Sequence, residues 1–187
     1  MRTTDYFNGV IKSLEGVSEG GLDRIAAILF GAYKTGNKVI VFGNGGSAAT
    51  ASHFVCDLAK GASIQGKKRF RAFSLNDNVP MVMAYGNDSS YDDIFSEQLE
   101  NIVEKGDVVI GISASGNSKN VLKAIKYANS KTAITVGLTG FQGGALKGLA
   151  SECLVVPGNT MEQIEDCHLI ILHALKMVLR SRIEKAR

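Results

Sequence analysis

The sequence predicts an α/β fold, a three-layer sandwich in which a five-stranded parallel sheet lies between helices. Three observations carry that expectation. Apolar runs containing β-branched residues recur at Lys38 to Phe42, Phe70 to Leu75, Asp107 to Ser113, Thr132 to Leu138 and Cys153 to Val156. Segments of helical period separate them, and strands alternating with helices favour a parallel sheet covered on both faces. The runs are apolar at consecutive positions, as in Val108-Val109-Ile110, which suits strands buried on both sides.

Taken in order, helical stretches over Asp5 to Leu14 and Leu22 to Tyr33 form an amino-terminal segment, 1–36, ahead of the first strand. The remainder, 37–187, reads as the α/β core with a closing helix, and 1–187 reads as a single domain because this length buries one full core. The first strand leads into Gly43-Asn44-Gly45-Gly46-Ser47-Ala48-Ala49 and a helix over Ser47 to Lys60; a helix over Asp92 to Val103 precedes the third strand. That strand runs into Ser113-Ala114-Ser115-Gly116-Asn117-Ser118 and a helix from Ser118 to Asn129. A long helix from Met161 to about Ile183 closes the chain. Leu169, Ile170, Ile171, Leu172, Ala174 and Leu175 surround its centre. A helix apolar on most sides needs more than one covering surface, which predicts a homo-oligomer.

Composition excludes several classes. A formal charge of +3 is too small to argue for nucleic acid, and Lys67-Lys68-Arg69-Phe70-Arg71 reads as a solvated strand entrance. No apolar run approaches the length of a membrane span, and the amino terminus has no apolar signal core, so neither membrane insertion nor export is expected. Cys56, Cys153 and Cys167 lack a disulfide-framework spacing, which fits a reducing cytoplasm.

Both glycine-serine loops sit at carboxyl ends of predicted strands, where open parallel sheets bind ligands. Glycines let the backbone approach an anion, hydroxyls donate to it, and the free N–H groups of the following helix point at it. Gly43-x-Gly45-x-x-Ala48 also satisfies a loose dinucleotide fingerprint, with Asp77 as the ribose acid, but that reading leaves the second loop unexplained. Ser47 and Ser118 have an ordinary alternative as helix caps; Ser113 and Ser115 do not. Two anion loops in one chain point to a phosphorylated small molecule. His53 and Asp57, four apart on the helix after the first loop, share a face and can ligate one ion or one substrate.

The two loops, His53-Phe54, Gly86-Asn87-Asp88, and a last helix bearing Ile164-Glu165 and His173 resemble the sugar isomerase, or SIS, family, in order from Lys38 to the last helix. The resemblance implies a homotetramer with sites at subunit interfaces. It also implies conversion of sedoheptulose 7-phosphate to D-glycero-D-manno-heptose 7-phosphate by metal-assisted proton transfer through an enediol. Substrate contacts are implied for Asn44, Gly45, Gly46, Ser47, Asp57, Ser113, Ala114, Ser115, Ser118 and Glu165, with Asn87 and Asp88 on the sugar. A divalent metal, zinc above all, one per subunit, falls to His53, Asp57, Glu165 and His173, and acid/base catalysis to Asp57, Glu165 and His173.

Three positions depart from the family pattern: Ala114 stands for threonine, Asp57 for glutamate and Glu165 for glutamine. Geometry adds a constraint, because residues eight apart on a regular helix lie about 12 Å apart along its axis. Glu165 and His173 therefore meet one ion only if the helix is irregular or a neighbouring subunit supplies one of them. His168, three residues from Glu165, pairs with it locally or packs as a core or interface histidine. Cys56 reads as a small buried apolar residue, and Tyr85, Tyr91 and Phe95 as core or interface. The alternative function is a non-catalytic SIS protein that binds a sugar phosphate or a protein partner for regulation.

Overall fold

The computed structural model describes residues Arg2 to Ala186. Both amino-terminal helices form, α1 over Thr3–Glu15 and α2 over Glu19–Thr35, the second capped by Ser18, whose hydroxyl accepts the Gly21 N–H at 3.2 Å. Five parallel strands follow: β1 Lys38–Gly43, β2 Arg71–Ser74, β3 Val108–Ser113, β4 Ile134–Gly140 and β5 Glu152–Val156. Their spatial order is β2-β1-β3-β4-β5, with Val41 beside Ile110 and Ile110 beside Val136. The expected fold class is what the chain adopts.

Strands β1 and β3, and β4 beyond Ile134, are buried on both faces, whereas the edge strand β2 is not, and the alternation along them sorts side chains into two cores. Val39, Val41, Ile110, Ile112, Val136 and Leu138 meet α2, α3 (Gly46–Cys56) and the closing helix α8 (Met161–Lys185). Ile40, Phe42 and Val109 meet the opposite layer, α5 (Ser96–Ile102), α6 (Lys119–Ser130) and α7 (Leu146–Leu149). Helix α1 lies along α8. No helix among the described residues is long and apolar enough to cross a membrane.

Four local differences from the sequence expectation have physical reasons. Thr132 takes φ 58° in the turn before β4 and so does not start that strand. The helix expected over Ser47 to Lys60 is α-helical only to Cys56; Asp57–Gly61 is a π-turn, closed by the Ala62 N–H donating to the Asp57 carbonyl at 2.7 Å. The helix expected over Asp92 to Val103 begins as a separate 3₁₀ turn, Tyr91–Asp93, before α5. Helix α4, Val79–Asp88, has no counterpart in the apolar pattern because none of its residues is buried; its signals are the Asn78 cap and Pro80 in its first turn.

The connection from β1 runs to β2 on one side, and that from β3 to β4 on the other. The carboxyl ends of β1 and β3 therefore flank the switch point of the sheet, and the two glycine-serine loops grow from those ends.

The inner face of α8 holds the fold together. Leu172 is fully buried in the larger core, so Leu172→Ala is expected to cost about 2–5 kcal/mol, read as a lower urea midpoint in chemical unfolding.

Candidate functional site

The switch point holds a pocket of about 80 Å³ lined by both loops and the start of α8, including Asn44, Ser47, Ser113, Ala114, Ser115, Ser118 and Glu165. In the second loop the Ser113 hydroxyl stands 3.0 Å from that of Ser118 and 3.5 Å from that of Ser115. Ser118 precedes α6, yet its side chain makes no capping bond, so the ordinary alternative for this serine fails and its hydroxyl serves the pocket. The Ala114 carbonyl accepts the Gly140 N–H at 2.8 Å, which ties the loop to β4. Helices α3 and α6 both begin at this point, so two N-termini converge on one small space.

The first loop is clamped by asparagines that sequence reading passed over. Asn76 accepts the Gly43 N–H at 3.2 Å and donates to the Gly43 carbonyl at 2.9 Å. Asn120 exchanges two hydrogen bonds with Asn44, at 2.9 and 2.8 Å, and the Tyr91 hydroxyl donates to Asn44 Oδ1 at 3.0 Å. Tyr91 is thus an exposed site-bordering side chain and not core, while Phe95 is buried and Tyr85 packs on the second core as expected.

Glu165 reaches the pocket because Gly46 lacks a side chain. A Cβ on Gly46 would lie 2.4 Å from Glu165 Oε2, so the carboxylate sits against the first residue of α3. Burial, and then the carboxylates of Glu162 and Asp166, push the Glu165 pKa above its ordinary value.

A second group stands on α3, its π-turn and α8. His53 Nε2 and His173 Nε2 are 3.2 Å apart, and Asp57 Oδ2 lies 4.0 Å from the first and 3.5 Å from the second. Asp57 Oδ2 is buried with no hydrogen-bond donor among the described residues. A buried carboxylate oxygen without a donor, facing two imidazole nitrogens, fits a divalent cation: two histidines and one carboxylate are a usual set for zinc with an open position. Glu165 is outside this group. Helix α8 runs unbroken from Met161 to Lys185, so the four expected ligands divide into three at His53, Asp57 and His173 and one at the anion pocket.

Other expected residues fall elsewhere. Asn87 and Asp88 bond to one another at 2.7 Å on the exposed end of α4, outside the lining of the loop pocket. Cys56 is exposed, contrary to the buried reading, because α3 turns that face outward. His168 is a core histidine: fully buried, its Nε2 is 3.1 Å from the Thr139 carbonyl.

A loop pocket at the switch point of a parallel sheet, beside a His-Asp-His group, has the donors and geometry of a site for a small anionic ligand. Residues 5–140 match the SIS domain. The chain is 45% identical over 151 residues to a probable phosphoheptose isomerase of Thermoplasma acidophilum, covering 81% of this chain and 82% of that one. It is 39% identical over 166 residues to a phosphoheptose isomerase of Citrifermentans bemidjiense, covering 89% and 86%. The structure of the phosphoheptose isomerase GmhA from Neisseria gonorrhoeae superposes with a TM-score of 0.89 at 29% identity, covering 96% of this chain and 97% of that one. The chain belongs to the SIS domain family.

His168 supplies a pH test. Burial pushes its pKa down to about 4, against an ordinary value of 6.5. Between these values the unfolded chain binds the extra proton, so folding weakens as pH falls. The His168 share of that loss between pH 7 and pH 5 is about 2 kcal/mol. In His168→Gln that share vanishes, and urea unfolding at the two pH values should show a correspondingly smaller loss; equal losses in variant and wild type would refute the assignment.

Proposed function

We propose that the protein is a ketose-aldose isomerase acting on a phosphorylated sugar, with sedoheptulose 7-phosphate as substrate and D-glycero-D-manno-heptose 7-phosphate as product. The observation that carries this reading is the pairing of an anion pocket with a His-Asp-His group along one helix. Relatives at 39–45% identity named as phosphoheptose isomerases support it.

The separation within α8 supports the length of the substrate. Glu165 marks the anion pocket and His173 the His-Asp-His group, about 12 Å apart along a regular helix. An extended seven-carbon sugar phosphate spans about 10 Å from C1 to phosphorus, given bond lengths near 1.5 Å. With its phosphate among Ser113, Ser115, Ser118 and the amides of Gly45, Gly46, Ser47 and Ala114, such a sugar brings C1 and C2 towards His53, Asp57 and His173. A three-carbon phosphate would not reach.

Isomerisation moves a proton from C1 to C2 and another from O1 to O2. Asp57 is the carbon base and, where no ion is bound, His173 the acid serving the oxygens. Within one subunit Glu165 is too far along α8 to share that work, so its catalytic part would fall to a site completed by a neighbouring subunit. A divalent ion, zinc first, would be held by His53, Asp57 and His173; with the His173 nitrogen so engaged, the ion rather than a His173 proton would steady the charge on the enediolate oxygens.

A homo-oligomer, in the family a tetramer, completes the proposal. Ile170, Met177 and Val178 of α8 are 44%, 60% and 42% exposed and flank His173 on one stripe, with Ala174 among them. A second copy covering that stripe would place the sites at subunit interfaces. The three free thiols suit the cytoplasm.

Incubation with sedoheptulose 7-phosphate in deuterated water, metal supplied, should exchange a C1 or C2 hydrogen. Absence of exchange with every ketose phosphate tried would overturn the reading in favour of a non-catalytic binder. Asp57→Asn should lower kcat about 10²–10⁴-fold, the usual worth of a general base. His53→Ala should lose bound metal in elemental analysis. Met177→Glu should shift sedimentation towards smaller species.

A further inference from the structure

We propose that Asn120 is a positioning residue that fixes which atom of Asn44 faces the anion pocket, with the Tyr91 hydroxyl as its second support. The inference rests on the pocket being a phosphate site.

The argument begins at a backbone amide. Asn120 lies in the first turn of α6, 2% exposed, and its Oδ1 accepts the Val121 N–H at 2.9 Å. A backbone N–H only donates, so the Asn120 atom beside it must be oxygen, and its nitrogen must face Asn44. Asn120 Nδ2 then donates to Asn44 Oδ1 at 2.8 Å, and Asn44 Nδ2 donates back to Asn120 Oδ1 at 2.9 Å. The Tyr91 hydroxyl donates to the same Asn44 oxygen at 3.0 Å.

With two donors on it, Asn44 Oδ1 has both lone pairs engaged. One N–H of Asn44 Nδ2 is spent on Asn120, and the other is the only polar valence of that side chain left. Asn44 lines the pocket. The pocket is therefore offered a donor and no acceptor from this side chain, a polarity imposed by the amide of Val121 and relayed through Asn120. A donor suits a phosphate oxygen; a reversed carboxamide would repel it. The same pair ties the β1 loop to the helix after the β3 loop, so the two halves of the anion site hold a fixed spacing.

If Asn120 acts through Asn44, the two residues are not independent. Titration of the full-length protein with inorganic phosphate should show a drop in affinity of about tenfold or more for Asn44→Ala, since hydrogen bonds to charged groups are worth at least that factor. Asn120→Ala should show a similar drop, and the double variant should be no worse than Asn44→Ala alone. With sedoheptulose 7-phosphate, Asn120→Ala should raise KM while kcat stays within about threefold, a split that a general loss of packing would not give. Tyr91→Phe, at an exposed position, should lower phosphate affinity to a smaller degree. Should Asn120→Ala fold poorly, Asn120→Ser and Tyr91→Phe, each combined with Asn44→Ala, carry the same comparison.

Additive losses in the double variant, or unchanged phosphate affinity in the Asn120 variants, would overturn the proposal, as would a wild-type protein that binds no phosphate. Phosphate binding that depends on Asn120 through Asn44, in a protein that exchanges no hydrogen in any ketose phosphate, would instead leave the positioning role standing and remove the isomerase reading.

Discussion

Everything in the site follows from β1 and β3 lying side by side while their connections leave in opposite directions. That adjacency brings the starts of α3 and α6 to one place. Each helix end carries roughly half a positive charge, so two together amount to about one. Among the described residues no lysine or arginine lines the pocket between the loops. What the pocket offers an anion is therefore helix ends, serine hydroxyls and the Asn44 carboxamide, on elements that grow from the buried strands β1 and β3.

Helix α8 converts that local arrangement into an extended site. Its inner face is locked into the larger core by Ile164, Cys167, Ile171, Leu172 and Leu175. One unbroken helix therefore carries Glu165 against Gly46 and His173 against His53 and Asp57. The separation that keeps the two from a common ion within one subunit sorts them to the loop pocket and to the His-Asp-His group.

Much of this was legible in the sequence, for stated physical reasons. Strands buried on both faces leave continuous apolar runs, and loops that approach an anion need glycine and serine, so β1, β3 and both loops could be read directly. His53, Asp57 and His173 were found by spacing and resemblance, and the structure brings their ligand atoms within 4.8 Å of one another. Helix α4 could not be read, since a helix with no buried residue leaves no periodic trace. Nor could the pairing of Asn44 with Asn120, 76 positions apart. Asparagine is common in helix first turns for local reasons, and only the fold shows that this one reaches across to another loop.

The departures at Asp57 and Glu165 form one pattern once placed. Asp57 is a bond shorter than glutamate, and it initiates a π-turn in which the chain after α3 is rewound. At the head of that turn Asp57 presents a buried oxygen 3.5 Å from the His173 imidazole. Glu165 adds a negative charge where a neutral amide is usual, but at the start of α3, where the helix end offsets part of the cost. Burial, with the carboxylates of Glu162 and Asp166 nearby, raises its affinity for a proton. The shorter acid thus remains with the histidines, and the extra acid stands where a helix terminus can tolerate it. Neither change removes a donor from the loop pocket or a ligand atom from the His-Asp-His group.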